Sequence, residues 1–166
     1  MDLNPDARGF ANPGVDILEQ DCSSRWGIDS DSLTVVFTSN FLEHLPAKSA
    51  LEATLHEAFR ALKPNGRFIA MGPNIRYLPG AYWDFFDHHL PLTELSLSEV
   101  LEKCGFHVEI KRARFLPYTM SRGVEYPAWM LRAYLAWPML WRLAGKQFLV
   151  VARKPFSSGS KSAPQA

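Results

Sequence analysis

The sequence predicts an α/β fold built around an open, mostly parallel sheet. Three successive segments carry this prediction: an apolar strand over Leu33–Ser39, a helix over about Lys48–Leu62 and a second strand over Arg67–Gly72. Strand, helix and strand joined by short connections are typical of a right-handed βαβ unit. Leu33–Ser39 has no charged residue and is rich in β-branched side chains, which favours a strand buried on both faces.

The helix between these strands is predicted from the spacing of its apolar residues. At successive intervals of four, three, one and three they form one stripe, which comprises Leu51, Leu55, Ala58, Phe59 and Leu62. Lys63–Gly66 (KPNG) then has the composition of a turn and should end the helix.

Four further elements are expected outside this unit. Gly14–Glu19 is a short apolar run that suits a buried strand. A capping-box pattern over Ser96–Glu99 predicts a helix to about Cys104, ended by Gly105. Two more strands are expected at the positions Phe106–Phe115 and Lys146–Arg153.

One domain accounts for the chain. Its 166 residues, 47% of them hydrophobic, can bury one sizeable core. We expect that domain over residues 1–155, with a helical insertion at about 126–143 that is broken near Pro138. The polar segment 156–166 should be a disordered tail.

Charge and targeting signals exclude several classes of protein. Lys and Arg (18) nearly balance Asp and Glu (17), so we expect no nucleic-acid partner. Cys22 and Cys104 lie far apart and should be free thiols. The N-terminus has no signal-peptide pattern, and the uncharged stretch Ala133–Trp141 is far shorter than the roughly 20 residues that span a bilayer. These features favour a cytoplasmic protein.

Polar residues lie at three positions where the ends of strands are expected. They are Asp2, the pair Asp21–Cys22 and the segment Thr38–Leu45. In doubly wound sheets, ligands bind outside the carboxyl ends of the strands. One carboxylate can accept hydrogen bonds from both hydroxyls of a ribose, and a second can accept from an exocyclic amine. The pattern therefore indicates an adenosine site.

Four motifs in order carry a resemblance to a known family. They read DLNPD (2–6), ILEQDC (17–22), VVFTSNFLEHLP (35–46) and EAFRALKPNGRFIAMGPN (57–74). In this order they resemble the second, third and fourth strands and the helix leading into the fifth strand of class I S-adenosylmethionine-dependent methyltransferases. Residues 74–92 and 145–155 resemble a group of bacterial members whose substrates are unassigned.

The resemblance implies a Rossmann-like methyltransferase sheet with helices on both faces and the strand order 3-2-1-4-5-7-6. The family's first strand and its glycine-rich loop should precede residues 2–6. We therefore expect an N-terminally truncated domain that lacks both. The implied activity is in-line transfer of a methyl group from S-adenosyl-L-methionine to a small-molecule or lipid-linked acceptor. The alternatives are a non-catalytic remnant or partner subunit, and a peripheral membrane protein.

The resemblance also implies where the adenosine half of the cofactor would bind. Asp2 would accept from the ribose hydroxyls, with Leu3 beside the adenine. Asp21 would accept from the adenine amino group, and the backbone N–H of Cys22 would meet a ring nitrogen. The alternative for Asp2 is a solvated acid, for Asp21 a turn residue, and for Cys22 a small buried apolar residue.

The methionine half would lie against the end of the fourth strand. The resemblance implies that Ser39 and Asn40 line it and that Phe41–His44 begins the adjacent helix. His44 could be catalytic, although a hydrogen bond within the fold is the more ordinary role for such a residue.

An aromatic segment over Tyr82–His89 (YWDFFDHH) is the other candidate site. Tyr82, Trp83 and Phe86 could form a lid that excludes water and contacts the cationic sulfonium. His88 or His89 could act as general base toward a hydroxyl acceptor. The alternative is a packed aromatic loop with surface histidines.

We expect no metal in this segment, although Asp84, Asp87, His88 and His89 are all possible ligands. Adjacent histidines seldom share one ion in a loop, and a sulfonium needs no metal to give up its methyl group.

Aromatic and basic residues are concentrated near the predicted insertion. They are Trp129, Arg132, Tyr134, Trp137, Trp141 and Arg142. Core packing or a substrate cap is the first interpretation. Contact with a membrane surface through 127–142 is the second, because tryptophan and arginine are typical of interfacial helices. The oligomeric state is not predicted by any pattern in the sequence.

Overall fold

The computed structural model describes residues 9, 12–118 and 127–156. The predictions for Asp2, Leu3 and the tail from 157 onward lie outside these residues. Within them, four strands form one sheet in the order β1-β2-β4-β3. The strands are β1 (Leu33–Ser39), β2 (Leu62–Pro73), β3 (His107–Arg112) and β4 (Gln147–Arg153).

The sheet is mixed. Strands β1 and β2 are parallel, whereas β4 lies antiparallel to both β2 and β3. This arrangement matches the 4-5-7-6 half of the strand order that the resemblance implies, so the predicted α/β class is confirmed. The β1–β2 register shifts between Leu33 and Val35, opposite the turn at Lys63–Gly66. The predicted turn is therefore an irregularity at the start of β2.

Two helices pack against one face of the sheet. They are α1 (Lys48–Ala61) and α2 (Glu94–Lys103). Together with the sheet they form one hydrophobic cluster, whose most deeply buried members include Leu55, Ala58, Phe68, Leu97, Leu101 and Phe148. The predicted stripe of α1 is confirmed, because Leu51, Leu55 and Ala58 are all buried.

The prediction that β1 is buried on both faces is wrong for the described residues. The side chains of Val35 and Phe37 are 49% and 59% exposed. They alternate with Val36, which packs against the core cluster on the helix side. β1 is also an edge strand of the described sheet, so it has a neighbouring strand on one side only.

Gly14–Glu19 is not a strand, contrary to the prediction. The segment is irregular apart from a single bridge at Glu19, and Val15 and Leu18 are exposed. None of the four described strands is paired with this segment.

The capping box of α2 lies three residues before the predicted one. Thr93 is the N-cap: its side chain accepts from the backbone N–H of Ser96, and the Ser96 hydroxyl contacts the backbone N–H of Thr93. The predicted end is confirmed, since Gly105 follows the helix with φ +95°, a conformation that favours glycine.

Two short helices lie between β3 and β4. They are α3 (Ala128–Ala136) and α4 (Pro138–Ala144), and Pro138 is the first residue of α4, where its fixed φ suits a helix start. Neither helix has a fully buried residue, so core packing is the wrong interpretation for them. Among the described helices, none combines the length and the apolar character needed to cross a bilayer.

Candidate functional site

The carboxyl ends of β1 and β2 lie side by side because the two strands are parallel. At the end of β1 the chain passes through Asn40, whose φ of 48° turns it sharply, and the Asn40 N–H donates to Met71 O of β2 at 3.0 Å. A single turn of 3-10 helix, Leu42–His44, follows. The prediction that Phe41–His44 begins the next helix is therefore wrong, since α1 starts only at Lys48.

A cavity of about 240 Å³ opens between β1, α1 and the loop before β1. Apolar and aromatic side chains form most of its wall, and hydroxyl groups contribute the polar part. The lining residues are Cys22, Trp26, Val36, Phe37, Thr38, Ser39, Phe41, Leu42, Thr54 and Phe68. A mostly apolar cavity with a few polar groups has the character of a small-molecule binding site.

Cys22 and Ser39, two of the predicted cofactor residues, line this cavity. The Cys22 carbonyl accepts from Trp26 Nε1 at 2.7 Å, and the Cys22 thiol accepts from the Thr54 hydroxyl at 3.6 Å. Burial raises the pKa of this thiol, and the Thr54 hydroxyl opposes that shift. The Cys22 side chain is therefore part of the wall in its neutral form.

Asp21 lies at the surface beside the cavity and stabilises a turn. Its Oδ1 accepts from the backbone N–H and the hydroxyl of Ser23, both at 2.8 Å. The Ser23 N–H holds the pKa of this carboxyl below its usual range. The structure thus shows the turn role that was the alternative for Asp21, and the adenine contact stays a prediction.

Arg60 holds the loop that carries Trp26 against α1. Its guanidinium donates to the carbonyl oxygens of Ile28 (2.9 Å) and Trp26 (3.3 Å) and to the carboxylate of Glu57 (2.7 Å). Glu57 in turn accepts from the Trp26 N–H at 2.9 Å. The position of one cavity wall therefore depends on the Glu57–Arg60 pair.

The aromatic segment is fixed to the 3-10 turn after β1. The backbone N–H groups of His89 and Leu90 both donate to Glu43 O, at 2.8 and 3.0 Å. The Tyr82 hydroxyl donates to Glu43 Oε1 at 2.8 Å, and both side chains are less than 5% exposed. Burial and the Glu43 carboxylate both raise the pKa of Tyr82, burial having the larger effect. Glu43 was not among the predicted site residues. Its position four residues past the end of β1 could have indicated it, because ligands bind near the carboxyl ends of strands.

The three predicted lid residues have different environments. Tyr82 is buried, Trp83 is half-buried with its Nε1 donating to Leu78 O at 2.9 Å, and Phe86 is 96% exposed. Of the two predicted bases, His88 stacks on the Tyr82 ring at 4.1 Å between centroids, whereas His89 is exposed near Phe86.

His44, at the end of the 3-10 turn, contacts the aromatic segment. Nδ1 of His44 lies 3.2 Å from Asp87 Oδ2, and the rings of His44 and His88 are 4.8 Å apart between centroids. The structure therefore brings together His44, Asp87 and His88, which the sequence places in two separate segments.

Comparison with known proteins agrees with this architecture. Residues 1–70 match the family model described as a methyltransferase domain. No curated protein matches the chain. An S-adenosylmethionine-dependent methyltransferase from Archaeoglobus fulgidus is 20% identical with a TM-score of 0.64, and the alignment covers 92% of this chain and 74% of that one.

Two other solved structures share the fold. A Haloferax volcanii complex between the Trm112 methyltransferase activator and a methyltransferase gives 20% identity and a TM-score of 0.64, covering 93% of this chain and 68% of that one. The [4+2]-cyclase SpnF is 19% identical with a TM-score of 0.55, and the alignment covers 90% of this chain and 59% of that one. Residues 1–70 are thus similar to a methyltransferase domain, and the described fold is that of solved S-adenosylmethionine-dependent methyltransferases.

Proposed function

We propose that the chain transfers the methyl group of S-adenosylmethionine to a small-molecule or lipid-linked acceptor. The observation that carries the proposal is the cavity at the carboxyl end of β1, which both Cys22 and Ser39 line. Both residues belong to the part of the chain that matches the methyltransferase domain model. Fold similarity alone would be weaker support, since a cyclase shares the fold.

The residues of this chain would bind the cofactor and position the acceptor. Phe68, Trp26 and Val36 supply apolar surface for the adenine, and the Ser39 hydroxyl supplies a polar contact toward the methionine part. When bound, the cofactor supplies a methyl group on a cationic sulfonium. Positioning the acceptor in line with that group then accounts for most of the expected rate gain.

The aromatic segment is the proposed cover of the acceptor side. Its two hydrogen bonds to Glu43 O place it beside the end of β1, where the cavity begins. Of the two histidines predicted as general base, His88 is the better supported, because its ring is held by Tyr82 while His89 is exposed.

Calorimetric titration with S-adenosylhomocysteine tests the cofactor site. We expect saturable binding in the micromolar range, weakened at least tenfold in Ser39→Trp, which fills the cavity mouth. Ser157→Trp, in the polar tail, is the matched control and should bind as the wild type does. Flat heats with a folded wild-type chain would instead favour the non-catalytic remnant or partner subunit.

A specific observation favours membrane contact as a second function. Helices α3 and α4 display large apolar side chains to solvent, including Trp129, Leu131, Trp137, Met139 and Leu143. Residues 127–146 contain three basic residues and no acidic one, although the whole chain is almost neutral. Exposed tryptophan and leucine next to basic residues are typical of surfaces that bind anionic lipid.

Flotation with tag-free protein tests this contact. We expect the chain to float with phosphatidylcholine vesicles that contain phosphatidylglycerol and to float less with phosphatidylcholine alone. The double variant Trp137→Ser, Met139→Ser should lose most of the flotation. Phe156→Ser removes an equally exposed ring beyond β4 and should float normally. If neither vesicle carries the wild type, the membrane function is refuted and a small-molecule acceptor is favoured.

A further inference from the structure

Three potential metal ligands meet at the junction between the 3-10 turn after β1 and the aromatic segment. One ligand atom from each of His44, Asp87 and His88 lies within 4.8 Å of the other two. His44 comes from the turn and the other two come from the irregular segment that is fixed to Glu43 O. The donor set therefore depends on the docking of two segments that lie more than forty residues apart.

We propose that His44, Asp87 and His88 bind a divalent transition-metal ion of the zinc class. Two imidazoles and one carboxylate are a common ligand set for Zn²⁺ and for Fe²⁺. Three protein ligands also leave positions for water or for an acceptor oxygen. The inference goes beyond methyl transfer and does not depend on it; with the ion on its Nε2, His88 would hold the ion in place of serving as general base.

The orientation of His88 supports the proposal. Its Nδ1 contacts the Tyr82 carbonyl oxygen, and its ring is stacked on the Tyr82 ring with an interplanar angle of 24°. A metal-binding histidine typically donates its other ring N–H to a carbonyl or carboxylate, which fixes the ring and its tautomer. The contact thus leaves Nε2 of His88 free to bind an ion.

The spacing of the other two ligands fits one ion. His44 Nδ1 lies 3.2 Å from Asp87 Oδ2 and 3.1 Å from the Asp87 carbonyl oxygen, so an ion bound to Nδ1 would replace this His44–Asp87 hydrogen bond. Two donors on one tetrahedral zinc lie about 3.3 Å apart at the usual bond lengths, close to the Nδ1–Oδ2 distance. The wider separation to His88 has to close by side-chain movement. Asp87 is 68% exposed and lies in a turn, so it can move without disturbing the core.

The local charge also favours a cation. Asp87 is the carboxylate of the cluster, and the buried Glu43 carboxylate accepts from Tyr82, whose ring stacks on His88. Within the described part of the chain, no lysine or arginine forms an ion pair with Asp87 or Glu43. The expectation of no metal considered only ligands within one loop, where adjacent histidines seldom share an ion. The structure supplies His44 from outside that loop.

Titration with Co²⁺ tests the site in tag-free full-length protein that has been freed of metal by chelator. We expect one saturable site that gives visible d–d absorption and is displaced by Zn²⁺. Asp87→Asn, His44→Ala and His88→Ala should each weaken Co²⁺ binding at least about tenfold. His89→Ala is the matched control, because its ring is exposed next to His88 but lies outside the cluster, and it should bind Co²⁺ as the wild type does.

Circular dichroism and binding of S-adenosylhomocysteine are measured on every variant. Asp87→Asn changes only an exposed side chain, so it keeps the test informative if a histidine variant fails to fold. Absence of a saturable Co²⁺ site in the folded wild type overturns the proposal. A Co²⁺ affinity that Asp87→Asn leaves unchanged also overturns the proposal. Because S-adenosylhomocysteine binding is read separately, failure of the metal site and failure of the proposed function are distinguishable.

Discussion

Removing one hydroxyl group at Tyr82 should measurably weaken the junction between the aromatic segment and the end of β1. The Tyr82 hydroxyl donates to Glu43 Oε1 at 2.8 Å, and both side chains are almost completely buried. Tyr82→Phe keeps the ring, its packing and its stacking on His88. The substitution therefore isolates the hydrogen bond.

The expected loss is about 2 kcal/mol of unfolding free energy. A hydrogen bond to a charged group contributes about 1.5–3 kcal/mol, and removal of the donor leaves the Glu43 carboxylate buried without it. For a domain of this size, 1 kcal/mol corresponds to about 2–4 °C in melting temperature. Tyr82→Phe should accordingly melt about 4–8 °C below the wild type.

Guanidinium unfolding followed by tryptophan fluorescence measures the loss. Tyr77→Phe is the matched control: the Tyr77 ring lies under the Arg114 guanidinium at 5.0 Å, and the phenylalanine ring keeps that contact. It should change stability by less than about 0.5 kcal/mol. In a Glu43→Gln background, Tyr82→Phe should cost less than in the wild type. The reasoning would be refuted if Tyr82→Phe and Tyr77→Phe lowered the unfolding free energy equally. It would also be refuted if Tyr82→Phe cost as much in the Glu43→Gln background as in the wild type.

Three further predictions concern the insertion, the cavity and the loop before β1. Gly145→Ala should cost about 1–3 kcal/mol, because its Cβ would lie 2.5 Å from the Trp141 carbonyl oxygen; a thermal melt equal to that of the wild type would contradict this. Alkylation of Cys22 should rise with pH with a midpoint above that of free cysteine, because burial raises its pKa, and S-adenosylhomocysteine should slow it; labelling that the ligand leaves unchanged would argue against the cavity as cofactor site. Arg60 lowers the pKa of Glu57, so the stabilisation from this carboxylate is present above the unfolded pKa near 4.5 and is lost as pH falls through the lower folded value. Wild type should therefore exceed Glu57→Gln in stability at pH 7, with the difference shrinking in acid; a constant difference between pH 7 and pH 2 would sink this account.

The sequence predicted those elements whose apolar side chains form a regular period or an uninterrupted run. α1 begins where predicted, because burial of one face imposes the helical period on its sequence. Strand β1 has the predicted bounds because its uncharged, β-branched run is followed at once by a change in composition, although its burial on both faces was wrongly predicted. The start of α2 was predicted three residues late, since Thr93 and Ser96 both suit an N-cap. A tertiary contact accompanies the observed start: Glu94 accepts from the buried Asn74 side chain at 2.6 Å.

The candidate site could be predicted only in part, for a related reason. Cys22 and Ser39 follow from the rule that ligands bind at strand ends, and both line the cavity. The meeting of His44 with Asp87 depends on how an irregular segment docks on Glu43 O. Irregular segments have no period, and a contact across forty-three residues leaves no local signal.

The segment that connects β3 to β4 begins and ends at neighbouring positions beside the sheet. Phe115 N–H donates to Gln147 O at 2.7 Å, and the N–H groups of Lys146 and Gln147 both donate to Leu116 O. These bonds close the two ends of the insertion to each other independently of what lies between them. The segment between these bonds can therefore change in sequence while the strands beneath it keep their pairing.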